Sequence, residues 1–302
     1  MGLFRKILNI GGNHSEAETA IAAQGFEASD CLKECSGCST KFPSSVKVES
    51  DGDLWGSTKP FGLHLVIPTN KTDWDHDACS TKGTIAHATS SWGESHSIEG
   101  IGQVKVSVSS LCSDELVVND EYALGARGDI LVLPFFVWIK NVTVKEVDSV
   151  LSTVVGELAA SRASGSSVAP LSYPQFPSMS FENDPNSSYV FLCSHKTRDK
   201  RCGITAPIMK KEMEIHLREL GLHRDFSDHS PGGVKVTFVN HVGGHKFTAN
   251  VIIYLKRSGK NIWLARCSPS NVRPIIDECI VNDGKVWPDM VRIVQKFDPI
   301  EW

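Results

Sequence analysis

The chain has 302 residues, 41% hydrophobic and 22% charged, with a formal net charge of -4. That is the composition of a soluble globular protein with apolar material for two cores, so two domains of ordinary size are expected. No basic tract, no aromatic-basic platform and no apolar run near the roughly 20 residues of a membrane helix occurs, which sets aside nucleic acid and membrane as partners.

The first residues, Met1 to Leu8, read as a frayed end. Lys6 stands where a myristoylation signal needs Ser or Thr. The apolar stretch is too short for a secretory signal, and Glu16 and Glu18 argue against a transit peptide. Nine cysteines without a secretion signal favour thiols and metal ligation over disulfides, so a cytoplasmic location is expected.

Residues 1–40 are polar and cysteine-bearing, and a flexible segment is expected there. Cys31, Cys35 and Cys38 have the C-x3-C-x2-C spacing of radical S-adenosylmethionine enzymes. Gly37 replaces the usual aromatic, and no barrel-like alternation of strands and helices follows. Free reduced thiols are the expectation, with a zinc or accessory redox role, joined by His76 and Cys79, as the alternative.

Residues 41–160 read as an α/β domain. Phe61 to Ile67 and Gln103 to Val108 predict strands, and Ile130 to Trp138 one long buried strand. Val147, Val150, Leu151, Val154 and Leu158 fall on one face of a helix spanning Val144 to Ala160. Residues 161–187, rich in Ser, Pro, Ala and Asn, predict a linker.

Residues 188–302 repeat that kind of order. Tyr189 to Leu192 predicts a short strand. Thr205 is placed to cap a helix with Pro207 in its first turn, the stripe Met209, Met213, Leu217 and Leu220, and a stop at Gly221. Val234, Val236 and Phe238 alternate with Lys235 and Thr237 as in a half-buried strand. Asn250 to Leu255 and Asn261 to Ala265 predict a hairpin, and Val272 to Ile280 a final helix. Two similar α/β units follow from this pattern.

The chemistry concentrates in Cys193-Ser-His-Lys-Thr-Arg-Asp-Lys-Arg-Cys202-Gly203 and His241-Val-Gly-Gly-His245. Two thiolates and two imidazoles hold either zinc or an iron–sulfur cluster with a Rieske-type ligand mix. Gly243 and Gly244 tolerate positive φ and let the backbone turn tightly there. Lys196, Arg198, Lys200 and Arg201 would stabilise anionic sulfur or attract an acidic partner. His195 is expected to support the ligands rather than to be one, and Cys267 and Cys279 to be buried thiols.

These motifs, with Phe42-Pro43-Ser44-Ser45, Leu54-Trp55, Lys59-Pro60 and Lys71-Thr72-Asp73-Trp74, resemble the sucrase/ferredoxin-like family over most of the chain. The resemblance implies an α/β fold of two thioredoxin-like units, the C-terminal one a thioredoxin-like ferredoxin domain. It also implies a 2Fe–2S cluster on Cys193, Cys202, His241 and His245. Arg198, Arg201, His195, Gly243 and Gly244 would then support the cluster or dock a partner. Imidazoles in place of thiolates remove negative charge, so a raised, proton-coupled potential is expected. The expected role is a one-electron carrier rather than a catalyst, with an unidentified redox partner such as a flavin reductase. A structural zinc protein is the alternative. The ending Ile300-Glu301-Trp302 resembles the tripeptide that clients present to the cytosolic iron–sulfur targeting complex.

Overall fold

Among the described residues ten strands form a mixed sheet, and their order is that of one pattern written twice. The computed structural model describes residues 16–96, 98–165 and 171–298, with every side chain in them except that of His245. The first half runs β1 (Leu63–Pro68), α1 (Ile85–Ser95), β2 (Val104–Ser109), β3 (Arg127–Leu133), β4 (Val137–Thr143), α2 (Val147–Ala163) and β5 (Ser180–Asn183). The second runs β6 (Ser188–Cys193), α3 (Lys200–Glu219), β7 (Val234–Val239), β8 (Val251–Leu255), β9 (Lys260–Leu264), a helical stretch over 269–281, and β10 (Val291–Lys296). The sheet order is β10-β9-β8-β6-β7-β2-β1-β3-β4-β5.

In each half the first two strands are parallel across a helix, β1 with β2 and β6 with β7. The next strand pairs antiparallel with the first, and a hairpin and one further antiparallel strand complete the half. The halves join through equivalent strands. β2 and β7 share one antiparallel ladder pair, Ser109 with Val239, at equivalent positions. Ser109 Oγ also donates to the Phe238 carbonyl at 2.6 Å, and Asn240 N–H to that of Val108 at 3.1 Å.

Successive strand residues point to opposite faces, and both faces are buried. On one, Leu63, Leu65 and Ile67 pack with Ile85, Trp92 and Val154 of the helices, and Val190 and Leu192 with Met209, Met213 and Ile276. The other face carries Phe61, Val66 and Leu131 from the first half and Tyr189, Phe191, Tyr254 and Trp263 from the second, all in one cluster. The halves are pressed together there. Phe61 meets Trp263 edge-on at 6.4 Å, and His64 Nδ1 lies 2.9 Å from the Tyr254 hydroxyl. Each large apolar side chain buried this way contributes about 1.5–3 kcal/mol.

The N-terminal segment lies along the second half. Ala28 bridges to Val286, Lys33 pairs with Asp289, Thr40 Oγ1 donates to Glu212 at 2.7 Å, and Arg266 donates to the Glu49 carbonyl at 2.8 Å.

Several predicted elements differ in the structure. The long strand from Ile130 to Trp138 is two strands, because the chain reverses at residues 134–136, where Phe136 has φ 54°. Strand β7 is buried at every position, because Thr237 bonds with Ser109 and Ser110 of the first half and Lys235 is covered by the 225–228 loop, where it donates to the Asp225 carbonyl. Helix α3 begins at Lys200, with Asp199 as its cap, and Pro207 is an interior residue. The ring of Pro207 leaves the Gly203 carbonyl without its usual intrahelical donor. Strand β5 lies within the expected linker and pairs with β4.

Two glycines test the packing in opposite directions. A Cβ on Gly62 would sit 1.6 Å from the Ile101 carbonyl oxygen, whereas one on Gly156, inside α2, meets nothing within 4 Å. Gly156→Ala is expected to stabilise the fold by about 0.5–1 kcal/mol, and Gly62→Ala to destabilise it by more than that. Urea denaturation midpoints of both variants check this. A Gly62→Ala midpoint equal to the parent's would show that the strand approach is not tight.

Candidate metal centre at the ends of β6 and β7

Cys193 is the last residue of β6 and pairs in register with Val239, the last of β7. His241 therefore follows two residues beyond that pair. Asp199 turns the chain into α3 by accepting the Arg201 N–H at 2.8 Å, which puts Cys202 in the first helical turn. Ligand atoms of Cys193, Cys202 and His241 all lie within 4.8 Å of one another. The Cys193 Sγ to His241 Nδ1 distance is 3.8 Å. Both cysteines are buried and His241 is half-buried.

The two thiols are hydrogen-bond partners. The hydrogen bond from Cys202 holds Cys193 below the ordinary thiol value, aided by the backbone N–H groups of Val242 and His195 and the Lys105 cation, against burial. The same hydrogen bond, with burial, pushes Cys202 well up. The first thiolate therefore forms on Cys193. The positive end of α3 favours it there.

The His-Val-Gly-Gly-His turn has the backbone the sequence predicts, with φ 83° at Gly243 and 67° at Gly244. Its support is Arg292 of β10, only 2% exposed. The guanidinium donates to the Gly243 carbonyl at 2.9 Å, to Asn250 Oδ1 at 2.8 Å, and to Ser57 through its Oγ and carbonyl. A Cβ on Gly244 would come within 2.6 Å of that guanidinium. Burial pulls Arg292 down to about 10, so it remains charged at neutral pH. Lys105 of β2 adds a cation from the other half, 5.1 Å from the centre of the Trp263 ring that Arg292 also approaches. Lys105 is half-buried as a residue, but its ammonium is crowded by rings, and burial pulls it down to about 8.

His195 connects the halves. Its Nε2 donates to the Trp74 carbonyl at 3.0 Å and its Nδ1 accepts the His241 N–H at 3.1 Å. A backbone N–H can only donate and a carbonyl only accept, so the ring is the neutral Nε2–H tautomer. Burial pulls its pKa down, in keeping with that. Ser194 Oγ donates to the Thr72 carbonyl at 2.7 Å, and Thr197 donates twice to Asp73. The Lys71-Thr-Asp-Trp74 motif is thus the bed on which the Cys193 loop lies.

Arg201 is bound to Asp199 through Nε and Nη2, with Glu49 at 3.8 Å, and Arg198 donates to His76 Nδ1 at 3.0 Å. Cys267 and Cys279 are fully buried thiols raised by that burial, as expected. His245 opens a 3-10 turn, His245–Phe247, and its side chain lies outside the described residues. So do Ile300, Glu301 and Trp302. Among the described residues the three-ligand group does not include Cys31, Cys35, Cys38, His76 or Cys79. The sequence reading missed Arg292 and Lys105. Their signal was a cation flanked by apolar strand residues, Lys105 between Val104 and Val106 and Arg292 between Val291 and Ile293.

A model of the sucrase/ferredoxin-like family matches residues 54–293. Actin patches distal protein 1 of Saccharomyces cerevisiae is 36% identical over 282 residues, which is 89% of this chain and 84% of that protein. Altered inheritance of mitochondria protein 32 of Meyerozyma guilliermondii is 35% identical over 111 residues, 37% of this chain and 36% of that protein. The protein of that name from Clavispora lusitaniae is 29% identical over 160 residues, 53% of this chain and 51% of that protein. No solved structure matches the chain.

The turn that carries His241 is testable without iron. Gly244→Ala is expected to weaken Co(II) binding at least tenfold, because the added methyl collides with Arg292 at a positive φ. The thiolate-to-cobalt absorption of the two proteins, titrated side by side, gives the comparison. Equal affinities would mean that the turn is not needed to place His241.

Proposed function

The chain belongs to the sucrase/ferredoxin-like family, and on that premise we propose that it is a cytoplasmic one-electron carrier. In this reading Cys193, Cys202, His241 and His245 hold a 2Fe–2S cluster. The observation that carries it is the convergence of two buried thiols and one imidazole at the strand ends. The donor set fits the group. Cys193 is already biased toward thiolate, and a helix N-terminus and two cations balance its charge.

When bound, the cluster would supply a one-electron couple. Two neutral imidazoles place that couple nearer the Rieske range, roughly -150 to +300 mV, than the about -400 mV of plant-type ferredoxins. Lys105 and Arg292 act in the same direction, because a nearby positive charge favours the more negative, reduced state. The histidine ligands hold a second ring proton, and its affinity rises on reduction.

Two thioredoxin-like units are part of the proposal. The repeated order of parallel pair, antiparallel strand, hairpin and helix supports it. The first unit would be without a cluster, since Pro68 and Leu111 occupy the register positions of Cys193 and His241. Electrons would pass to and from a separate redox partner such as a flavin reductase. The terminal Ile300-Glu301-Trp302 would present the apoprotein to the cytosolic iron–sulfur targeting complex.

A structural zinc site is the second reading, and one distance favours it. The 3.8 Å between Cys193 Sγ and His241 Nδ1 is near the edge of a tetrahedral zinc site, about 3.6 Å. Iron, sulfide and zinc content of the purified protein separate the two.

The carrier reading predicts a red-brown protein with two irons per chain. Its potential falls as pH rises through the ring-proton pKa of the oxidised form, by up to about 59 mV per pH unit for one proton and one electron. Voltammetry across acid to alkaline pH measures this, and a flat potential or a colourless protein with one zinc sinks the reading. For the terminus, deletion of Trp302 is expected to lower cluster occupancy in cells while the purified apoprotein still accepts a cluster chemically. Full occupancy in cells would remove the targeting role.

A further inference from the structure

Cys35-Ser36-Gly37-Cys38 forms a tight turn on the surface of the second half, away from the metal centre. The Cys38 N–H donates to the Cys35 carbonyl at 3.4 Å. Such a turn holds its end Cα atoms within about 7 Å, which overlaps the separation of roughly 4.4–6.8 Å that a disulfide needs. The two thiols are already hydrogen-bond partners. Both residues are half-buried, so neither is sealed from solvent.

The turn is pinned on both sides. Cys35 N–H donates to the Ser270 carbonyl at 2.8 Å, Asn271 to the Lys33 carbonyl at 2.8 Å, and Thr40 Oγ1 to Glu212 at 2.7 Å. The nearby charges are Glu212, which raises Cys38, and Arg273, which lowers both sulfurs and is held by an exposed pairing with Glu219 at 3.3 Å. Cys31, in the same segment, hydrogen-bonds instead with the Glu278 carboxylate.

We infer that Cys35 and Cys38 form a thiol–disulfide exchange site whose co-reactant is an anionic low-molecular-weight disulfide. The Cys35 thiolate attacks one sulfur of that disulfide and expels the other as a thiolate. Cys38 then loses its proton and attacks the Cys35 sulfur, releasing the second thiolate. The dithiol loses two electrons and becomes a disulfide. The co-reactant gains them and leaves as two thiols, with the two protons from Cys35 and Cys38.

The roles follow from the unequal sulfurs. The hydrogen bond from the Cys38 thiol, with the Gly37 N–H, holds Cys35 below the ordinary thiol value. Burial, then the bond to Cys35, pushes Cys38 up to about 11. Cys35 is the attacking thiol and Cys38 the resolving one. Arg273 favours an anionic co-reactant.

The test uses the full chain in glutathione buffers of rising disulfide fraction, quenched by alkylation, with the 31–38 peptide read by mass. A Cys35–Cys38 disulfide is expected in one transition, while Cys267 and Cys279 stay reduced. Cys38→Ser should trap glutathione on Cys35, and Cys35→Ser should slow consumption of glutathione disulfide at least tenfold. Both variants should keep the parent thermal midpoint. Arg273→Gln should slow exchange severalfold with glutathione disulfide but not with neutral hydroxyethyl disulfide. A dithiol that persists in fully oxidised glutathione, or glutathione found only on Cys31, overturns the site. Equal slowing by Arg273→Gln toward both probes overturns the anionic co-reactant. None of these readings depends on iron, so they fail or succeed apart from the carrier reading.

Discussion

One neutral imidazole fixes the position of the candidate centre. His195 accepts the backbone N–H of His241 and donates to the carbonyl of Trp74, so a single ring joins the Cys193 loop, the His241 turn and the first half of the molecule. Protonation would put a donor on Nδ1 against the His241 N–H, and loss of the ring would leave two buried backbone groups unpaired at about 1–3 kcal/mol each. The ring therefore has one permitted state and one permitted orientation. The neighbouring bonds from Ser194 and Thr197 to residues 72 and 73 depend on the same docking.

The repeated topology explains why a loop from one half can serve the other. Equivalent strands β2 and β7 meet at equivalent residues, so the junction places the carboxyl ends of both parallel pairs side by side. Backbone hydrogen bonds repeat as well. Thr69 N–H donates to Ser109 O in the first half as Ser194 N–H does to Val239 O in the second. What differs is the side chains. The side chains of Pro68 and Leu111 have no lone pairs for a metal, so the first half supplies support and charge while the second carries the candidate ligands.

Much of this was legible in the sequence, and the exceptions have physical reasons. Apolar or alternating runs located β1, β2 and β8, of which β1 and β8 are buried on both faces, and the 3.6-residue period located α2, which buries one face. The merger of β3 and β4 into one strand arose because both are apolar and their turn, Pro134-Phe135-Phe136, is apolar too, with Phe135 and Phe136 buried and Phe136 set against Tyr189 of the second half. Strand β7 looked half-exposed because Lys235 and Thr237 alternate with Val and Phe, yet Thr237 bonds across to the other half and Lys235 to the Asp225 carbonyl. The helix cap was placed six residues late, at Thr205 rather than Asp199, because Pro207 suggests a first turn. Asp199 in fact caps the helix, and the Thr205 hydroxyl bonds back to the Arg201 carbonyl at 2.9 Å. The meeting of Cys193, Cys202 and His241, the two glycine backbones and the place of His195 beside them were readable from spacing and family resemblance. The contacts of Thr72, Asp73 and Trp74 with the Cys193 loop were not, since 120 residues separate the partners and no local pattern records a tertiary hydrogen bond.

Arg292 shows how the second half balances an anionic site inside a core. A buried guanidinium without partners would be costly, and here it has four acceptors, from Ser57, Asn250 and Gly243. Those bonds do two things with one charge. They satisfy the guanidinium, and they pull the Gly243 carbonyl into the turn that carries His241. The price of that arrangement is a glycine at 244, because the guanidinium occupies the space a side chain would need. Lys105 arrives from β2 and has no such net, so burial lowers its pKa and its charge is held by ring faces and by Cys193. The more firmly bonded cation shapes the turn, and the less firmly held one is the charge most sensitive to the state of the sulfurs.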